Sequence, residues 1–241
     1  MSLRFDGVSD YARLTGAAAL GNSTSGTLLG WYRKEDSTAD RDILVLSRSG
    51  SSGRIAISAT AGNIKGLYSG DAGSAVNYAV ATNTWVGLAI TLTDSALNIY
   101  AFSGGTLTLV MSDTSFYAPS NLNNAFFGDT GSWSEAAFGC YCYGRYWSRV
   151  LSPAELTAEF GMTPSSGTPA ASTTNLRGSW PMPDSTDTTD WSGVGNTLTI
   201  SGAVTSSEEP TIGGGAVVAA GILRSTPARP QGVGIQGLRT L

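Results

Sequence analysis

The chain contains no histidine. That removes the commonest general base, the commonest metal ligand and the side chain that titrates near neutrality. Histidine-based triads and histidine-ligated zinc are therefore excluded, and any acid–base chemistry falls to carboxylates. Glycoside hydrolysis needs two of them, about 5–5.5 Å or about 6.5–9.5 Å apart. Close glutamate groupings occur only at Glu35-Asp36, Glu155/Glu159 and Glu208-Glu209. These fall at a turn, on a helix and at a domain edge, so no enzyme activity is expected. Asp184, Asp187 and Asp190 form a denser trio in DSTDTTD, with Asp6, Asp10 and Asp129 on other loop segments. Calcium takes about 6–8 oxygen ligands, with several carboxylates converging. The trio is thus the candidate metal site, and calcium is the one cofactor in question. The commoner role of such aspartates is to close turns through their own backbone. Trp133 in GDTGSWSE and Trp191 in TDWSG sit on loop-like segments beside polar residues. They are the candidate ligand-binding residues, platforms on which a sugar ring could stack; burial in packing is the usual alternative. Cys140 and Cys142 are two apart, which on a strand separates their Cα atoms by about 6.5–7 Å on one face. That is poor geometry for a disulfide, and two thiols are too few for zinc, so they read as small buried apolar side chains.

Short antiparallel strands must position these groups. Trp85 to Thr93 sends Val86, Leu88, Ile90 and Leu92 to one face; Ile55 and Ile57, Leu107, Leu109 and Met111, and Leu198 and Ile200 alternate in the same way. Alternation with a polar partner face, broken by Gly/Ser/Asn/Asp clusters such as SRSGSSG and YSGDAGS, predicts a two-sheet sandwich. A helix is predicted over 153–160. Ser152 is the N-cap, Pro153 takes the first helical position, and Glu155 completes an S-x-x-E capping box. Leu151 and Leu156 are spaced for a hydrophobic staple, and Leu156 and Phe160 share a face. Tyr141, Tyr143 and Trp147, on the strand before that helix, divide between core and sheet face.

This closing segment, Phe138 to Phe160, resembles the signature of the laminin-G-like, concanavalin A-like lectin group of jelly rolls, with Gly139, Arg145, Trp147, Arg149, Leu151, Ser152 and Glu155 matching in order. The opening Leu3 to Leu14, the central Thr82 to Gly105 and the late Ser179 to Gly202 resemble further blocks of that family in family order. The resemblance implies an all-β fold, a two-sheet antiparallel jelly-roll sandwich with one short helix, over residues 1–210. It also implies carbohydrate binding, calcium-dependent in some relatives. Cys142 and Tyr143 stand where the family pattern has paired acids, and the E-x-D-x-x-E strand of its hydrolase branch is absent.

Residues 211–241 depart from the family. They hold no acid, three arginines (Arg224, Arg229 and Arg239) and apolar anchors that include Ile222 and Leu223 among glycines and prolines. Such a segment cannot bury enough surface to fold alone and reads as an extended C-terminal arm that anchors to a partner. Ile222, Leu223, Arg224, Arg229 and Arg239 are its expected contacts. Net charge is −4 and only 13% of residues are charged, about half the usual share, so nucleic acid is not an expected partner. No run of about 18 apolar residues occurs, and MSLRFDG shows no signal-peptide pattern. Together these features predict a virion accessory protein of a tailed bacteriophage, made in the host cytoplasm. It would serve as capsid decoration or as a head or tail fibre component, with other virion proteins and its own copies as partners. A lectin module used in adhesion is the alternative.

Overall fold

The computed structural model describes residues 1–15, 20–21, 24–35, 41–47, 54–59, 63–68, 78–114, 122–128, 138–162 and 168–210. Two antiparallel sheets face each other. The first runs β10 (Thr106–Asp113), β9 (Leu97–Ser103), β8 (Trp85–Leu92), β3 (Gly26–Lys34), β12 (Phe138–Trp147), β1 (Ser2–Asp6), β15 (Val204–Ser206), with β13 (Leu176–Trp180) also paired to β12. The second runs β14 (Thr199–Ser201), β2 (Tyr11–Thr15), β11 (Asn124–Gly128), β4 (Arg41–Ser47), β5 (Arg54–Ala59), β6 (Asn63–Tyr68), β7 (Tyr78–Ala79). The expected jelly-roll sandwich is the observed fold.

Alternation builds the core as predicted. Val86, Leu88, Ile90, Leu92, Ile55, Ile57 and Leu198 meet between the sheets, with Ile200 packed against them. The expectation for β10 is corrected. A register shift between Leu109 and Met111 inserts Val110, and one extra residue flips the parity of what precedes it. Val110 and Met111 therefore lie in the inter-sheet core, Leu107 packs on the outer face, and Leu109 is 52% exposed.

Helix α1 (Pro153–Phe160) covers the outer face of the first sheet. Its capping box is formed: Ser152 Oγ accepts from Glu155 N at 3.3 Å, and Ser152 N donates to Glu155 Oε2 at 2.9 Å. Leu151, Leu156 and Phe160 are buried against Trp31, Phe102 and Trp147. Phe160 stacks on Phe102 at 5.4 Å between ring centroids and meets Trp31 edge-on at 5.6 Å. Tyr141 joins the inter-sheet core while Tyr143 and Trp147 join this outer cluster, dividing as expected. Both cysteines are free and buried.

Strand β12 organises the whole. Cys142 faces Trp31 and Arg145 faces Leu29, so Tyr143 and Gly144 together oppose Gly30. This bulge holds Tyr143 at φ 60°, a conformation that costs an L-residue about 1–2 kcal/mol. On its other side β12 pairs with β1 up to Tyr141 and with β13 from Gly144 onward; at the break Tyr143 N donates to Pro181 O at 3.1 Å.

Candidate functional site

Chain crossings between the sheets converge at one end of the sandwich. There β1 passes to β2 through residues 7–10, β14 passes to β15 through Gly202 and Ala203, β11 ends at Gly128 and β12 begins at Phe138. Arg41, at the start of β4, donates from Nη1 to Gly7 O at 2.8 Å and ties the second sheet to this end. Connections of this kind on a rigid scaffold are where binding groups concentrate.

Between them lies a pocket of about 150 Å³ lined by Arg4, Phe5, Asp6, Asp10, Phe138, Gly202 and Val204. Phe5 is fully buried and stacks on Tyr141 at 4.6 Å, which fixes it from behind. Phe138 and Val204 supply apolar wall, and Val204 is 55% exposed. Arg4 places its guanidinium carbon 5.6 Å from the Phe138 ring centroid, and its Nε donates to Glu35 Oε2 at 2.7 Å. Arg33 Nη1 donates to the other oxygen, Glu35 Oε1, at 2.8 Å.

Asp10 is the buried acid of the pocket, 5% exposed, and its Oδ2 accepts from Asp6 N at 2.8 Å. Asp6 Oδ1 accepts from Val8 N at 2.8 Å. Burial pushes the Asp10 carboxyl above its ordinary range, and the charge and hydrogen bond of Asp6 push the same way against the Asp6 N–H. The two acids sit on one turn and are joined through the Asp6 N–H bond to Asp10 Oδ2. Gly202 (φ 75°) is required here, because a Cβ would run into Asp10 Oδ1.

The predicted site residues lie elsewhere or outside the described residues. Trp133, Asp129 and the whole 211–241 arm, with Ile222, Leu223, Arg224, Arg229 and Arg239, fall outside the described residues. Asp184, Asp187, Asp190 and Trp191 belong to the loop that carries the chain from β13 to β14. Asp184 Oδ1 accepts from Thr186 N, Thr186 Oγ1 and Asp187 N, which hold it below the ordinary carboxylate range. Asp187 Oδ1 accepts from Thr189 N at 2.9 Å. Asp190 takes Ser179 N and Ser192 N on Oδ1, and Ser192 Oγ, Gly195 N and Asn196 N on Oδ2. Each acid thus closes its own turn, and among the described residues no three acid or thiol side chains come together as a metal set. Trp191 and Val194 are each about half exposed on this loop. The Trp191 backbone N–H donates to Ser179 O at 2.8 Å, which places Trp191 along the β13 edge and not in the pocket.

Two other polar clusters are closed. Under α1, Arg145 donates to Glu159 Oε2 at 2.5 Å and to Ser179 Oγ at 3.0 Å, while Glu159 Oε1 accepts from Ala171 N at 2.6 Å. Arg145 and Glu159 are fully buried there. On the outer face of the second sheet, Asp42 accepts from Arg54 and Ser58 beside buried Val45, Ala56 and Phe126. Neither offers an open surface for a ligand. The acids of the pocket stood out in the sequence as loop aspartates. Arg4, Phe138 and Val204 carried no signal, because only strand pairing brings residues so distant along the chain together.

No family profile matches the chain, and no curated protein matches it in sequence. Solved structures match it in fold. A Bacteroides ovatus protein provisionally named as carbohydrate-binding superposes with a TM-score of 0.62 at 14% identity, over 88% of this chain and 61% of that one. The present chain thus spans about three-fifths of that protein's length. Trypanosoma rangeli sialidase, in complex with the inhibitor DANA, gives 0.54 at 16% identity over 65% of this chain and 26% of the enzyme. The LG1-3 region of the laminin α2 chain gives 0.49 at 15% identity over 62% and 31%.

Proposed function

We propose that the chain is a non-catalytic carbohydrate-binding module whose ligand occupies the pocket at the end of the sandwich. The observation that carries this is the juxtaposition, in one open pocket, of an apolar wall (Phe138 and Val204) with a buried carboxyl (Asp10). A sugar presents an apolar C–H face and a rim of hydroxyl donors, and sites of mixed lining with a few fixed polar groups suit that pattern. The likeness in fold to a protein provisionally named for carbohydrate binding supports the same reading. Catalysis is not part of this reading, because the sequence lacks the E-x-D-x-x-E strand of the hydrolase branch.

The test is binding of the purified chain to an immobilised glycan panel, followed by calorimetry on the hits. Val204→Arg, on an exposed edge-strand position, should weaken binding about tenfold or more while leaving the melting temperature in place, as expected when a bulky cation fills a small site. A panel with no hits would defeat the proposal, as would hits that Val204→Arg leaves unchanged. Anchoring in a virion through residues 211–241 is a separate proposal that rests on the composition of the arm alone. It is compatible with sugar binding at the opposite level of organisation, and the pocket ranks the lectin role first.

A further inference from the structure

We infer that the pocket takes one terminal ring of a neutral glycan and rejects acidic sugars; this rests on the carbohydrate reading of the site. Size gives the first half. At about 150 Å³ the pocket is half or less of the ~300–1,000 Å³ that encloses a drug-sized ligand. It matches the ~150 Å³ cavity that accommodates a six-atom benzene ring, so there is room for the body of one pyranose ring with its outer hydroxyls at the open mouth, and none for a second. Its boundaries agree. The β1–β2 turn carries Asp6 and Asp10, the β14–β15 turn carries Gly202, and Phe138 stands at the start of β12, so three connections close around the site. One ring enters, and the rest of the glycan stays outside.

Charge gives the second half. The ionisable groups lining the pocket are Arg4, Asp6 and Asp10. Beside the pocket the Arg4 and Arg33 guanidiniums are set against Glu35 (2.7 and 2.8 Å) and Glu208 (3.9 Å from Arg33), so the two positive charges are offset locally by two negative ones. Arg41, the next cation, is turned to the carbonyl of Gly7 behind the β1–β2 turn. Two acids remain to meet the ligand. Sugar hydroxyls can donate to their oxygens, whereas a sugar carboxylate would be brought against the acidic Asp6–Asp10 turn at close range, where like charges disfavour one another. Closing the floor with the fully buried Phe5 lowers the screening that would otherwise soften this repulsion.

Calorimetry on the full chain tests both halves, using methyl glycosides of neutral hexoses against glucuronic acid and N-acetylneuraminic acid, then oligosaccharides of increasing length. Acidic sugars should bind at least about tenfold more weakly than neutral ones, and Asp6→Asn should raise the acidic-to-neutral affinity ratio about threefold or more. Lengthening a neutral oligosaccharide should leave affinity within about threefold of that of the methyl glycoside of its terminal sugar, as a one-ring site requires. Acidic sugars binding as well as neutral ones, or affinity climbing with every added ring, would overturn this inference and leave the carbohydrate reading standing. Absence of binding to any glycan would remove the carbohydrate reading and this inference with it.

Discussion

Arg145 and Glu159 are the most consequential single residues away from the pocket. Both are fully buried, and Arg145 also stacks 4.1 Å from the ring centroid of Tyr143, whose hydroxyl donates to Glu159 at 3.4 Å. Burial and the neighbouring carboxylate hold the Tyr143 hydroxyl well above the ordinary phenol range. Removing either charge leaves the other unpaired in the interior, so Glu159→Gln or Arg145→Met should each destabilise the fold by about 3–5 kcal/mol in urea melts. The double variant should cost clearly less than the sum, and strict additivity would show that the two groups are not coupled. Asp190 acts in the same manner on the other side of Ser179, whose hydroxyl meets Arg145 and whose N–H meets Asp190. Its carboxylate gathers the backbone N–H groups of Ser179, Ser192, Gly195 and Asn196. Asp190→Ala should lower stability by about 3 kcal/mol, because several donors lose a charged acceptor at once.

At the scale of elements, α1 is held by its first turn. Ser152→Ala should cost about 1 kcal/mol, read as a shift of the urea midpoint at constant slope. Glu155 adds a dependence on pH. The hydrogen bond from Arg149, followed by the one from Ser152 N, lowers its carboxyl from 4.5 to about 2. A carboxyl depressed in the folded state stabilises above its unfolded value and loses that stabilisation as pH falls through its folded value. The stability difference between the native chain and Glu155→Gln should therefore be constant above about pH 5 and shrink between about pH 4.5 and about pH 2. A difference that stays flat across that window would refute the role given to Glu155. This helix was legible because every signal it needs, Ser152, Pro153, Glu155, Leu151 and Leu156, is local in sequence. Strand β10 was misread for the converse reason: nothing in TLTLVMSD marks Val110 as the extra residue, since the bulge is set by pairing with β9. The DSTDTTD acids were legible as turn-formers or ligands, and their backbone partners explain the turns without an ion. The pocket was only half legible, because its acids sit on one tight turn while Phe138 and Val204 arrive from more than a hundred residues away.

At the scale of the molecule, both sheets are complete by Ser206 among the described residues, and the Met1 amino group meets Glu209 at the margin of the sandwich. A chain ending at Pro210 should therefore keep a single cooperative melting transition and its affinity for glycan. Loss of either, in calorimetry and in the panel assay, would mean that residues 211–241 contribute to the sandwich itself. If the shortened chain also fails to join particles that the full chain joins, the arm is the anchor that its arginine and apolar content suggests.

The position of β1 has a bearing on biosynthesis. It leaves the ribosome before every other described strand of the sandwich, yet its hydrogen-bonding neighbours are β12 and β15: Leu3 lies opposite Tyr141 on one side and Thr205 on the other. At about 5–20 residues per second, the second partner appears roughly 10–40 s after the first strand has emerged. Until β12 emerges, Leu3 and Phe5, fully buried in the finished protein, have no partner strand, and until β15 emerges the second edge of β1 stays unpaired. Such late-closing, long-range pairing slows folding and leaves apolar segments to holding chaperones in the meantime. Nascent chains arrested before β14 has emerged should remain open to protease across β1, and protection should arrive in one step once β15 is free to pair.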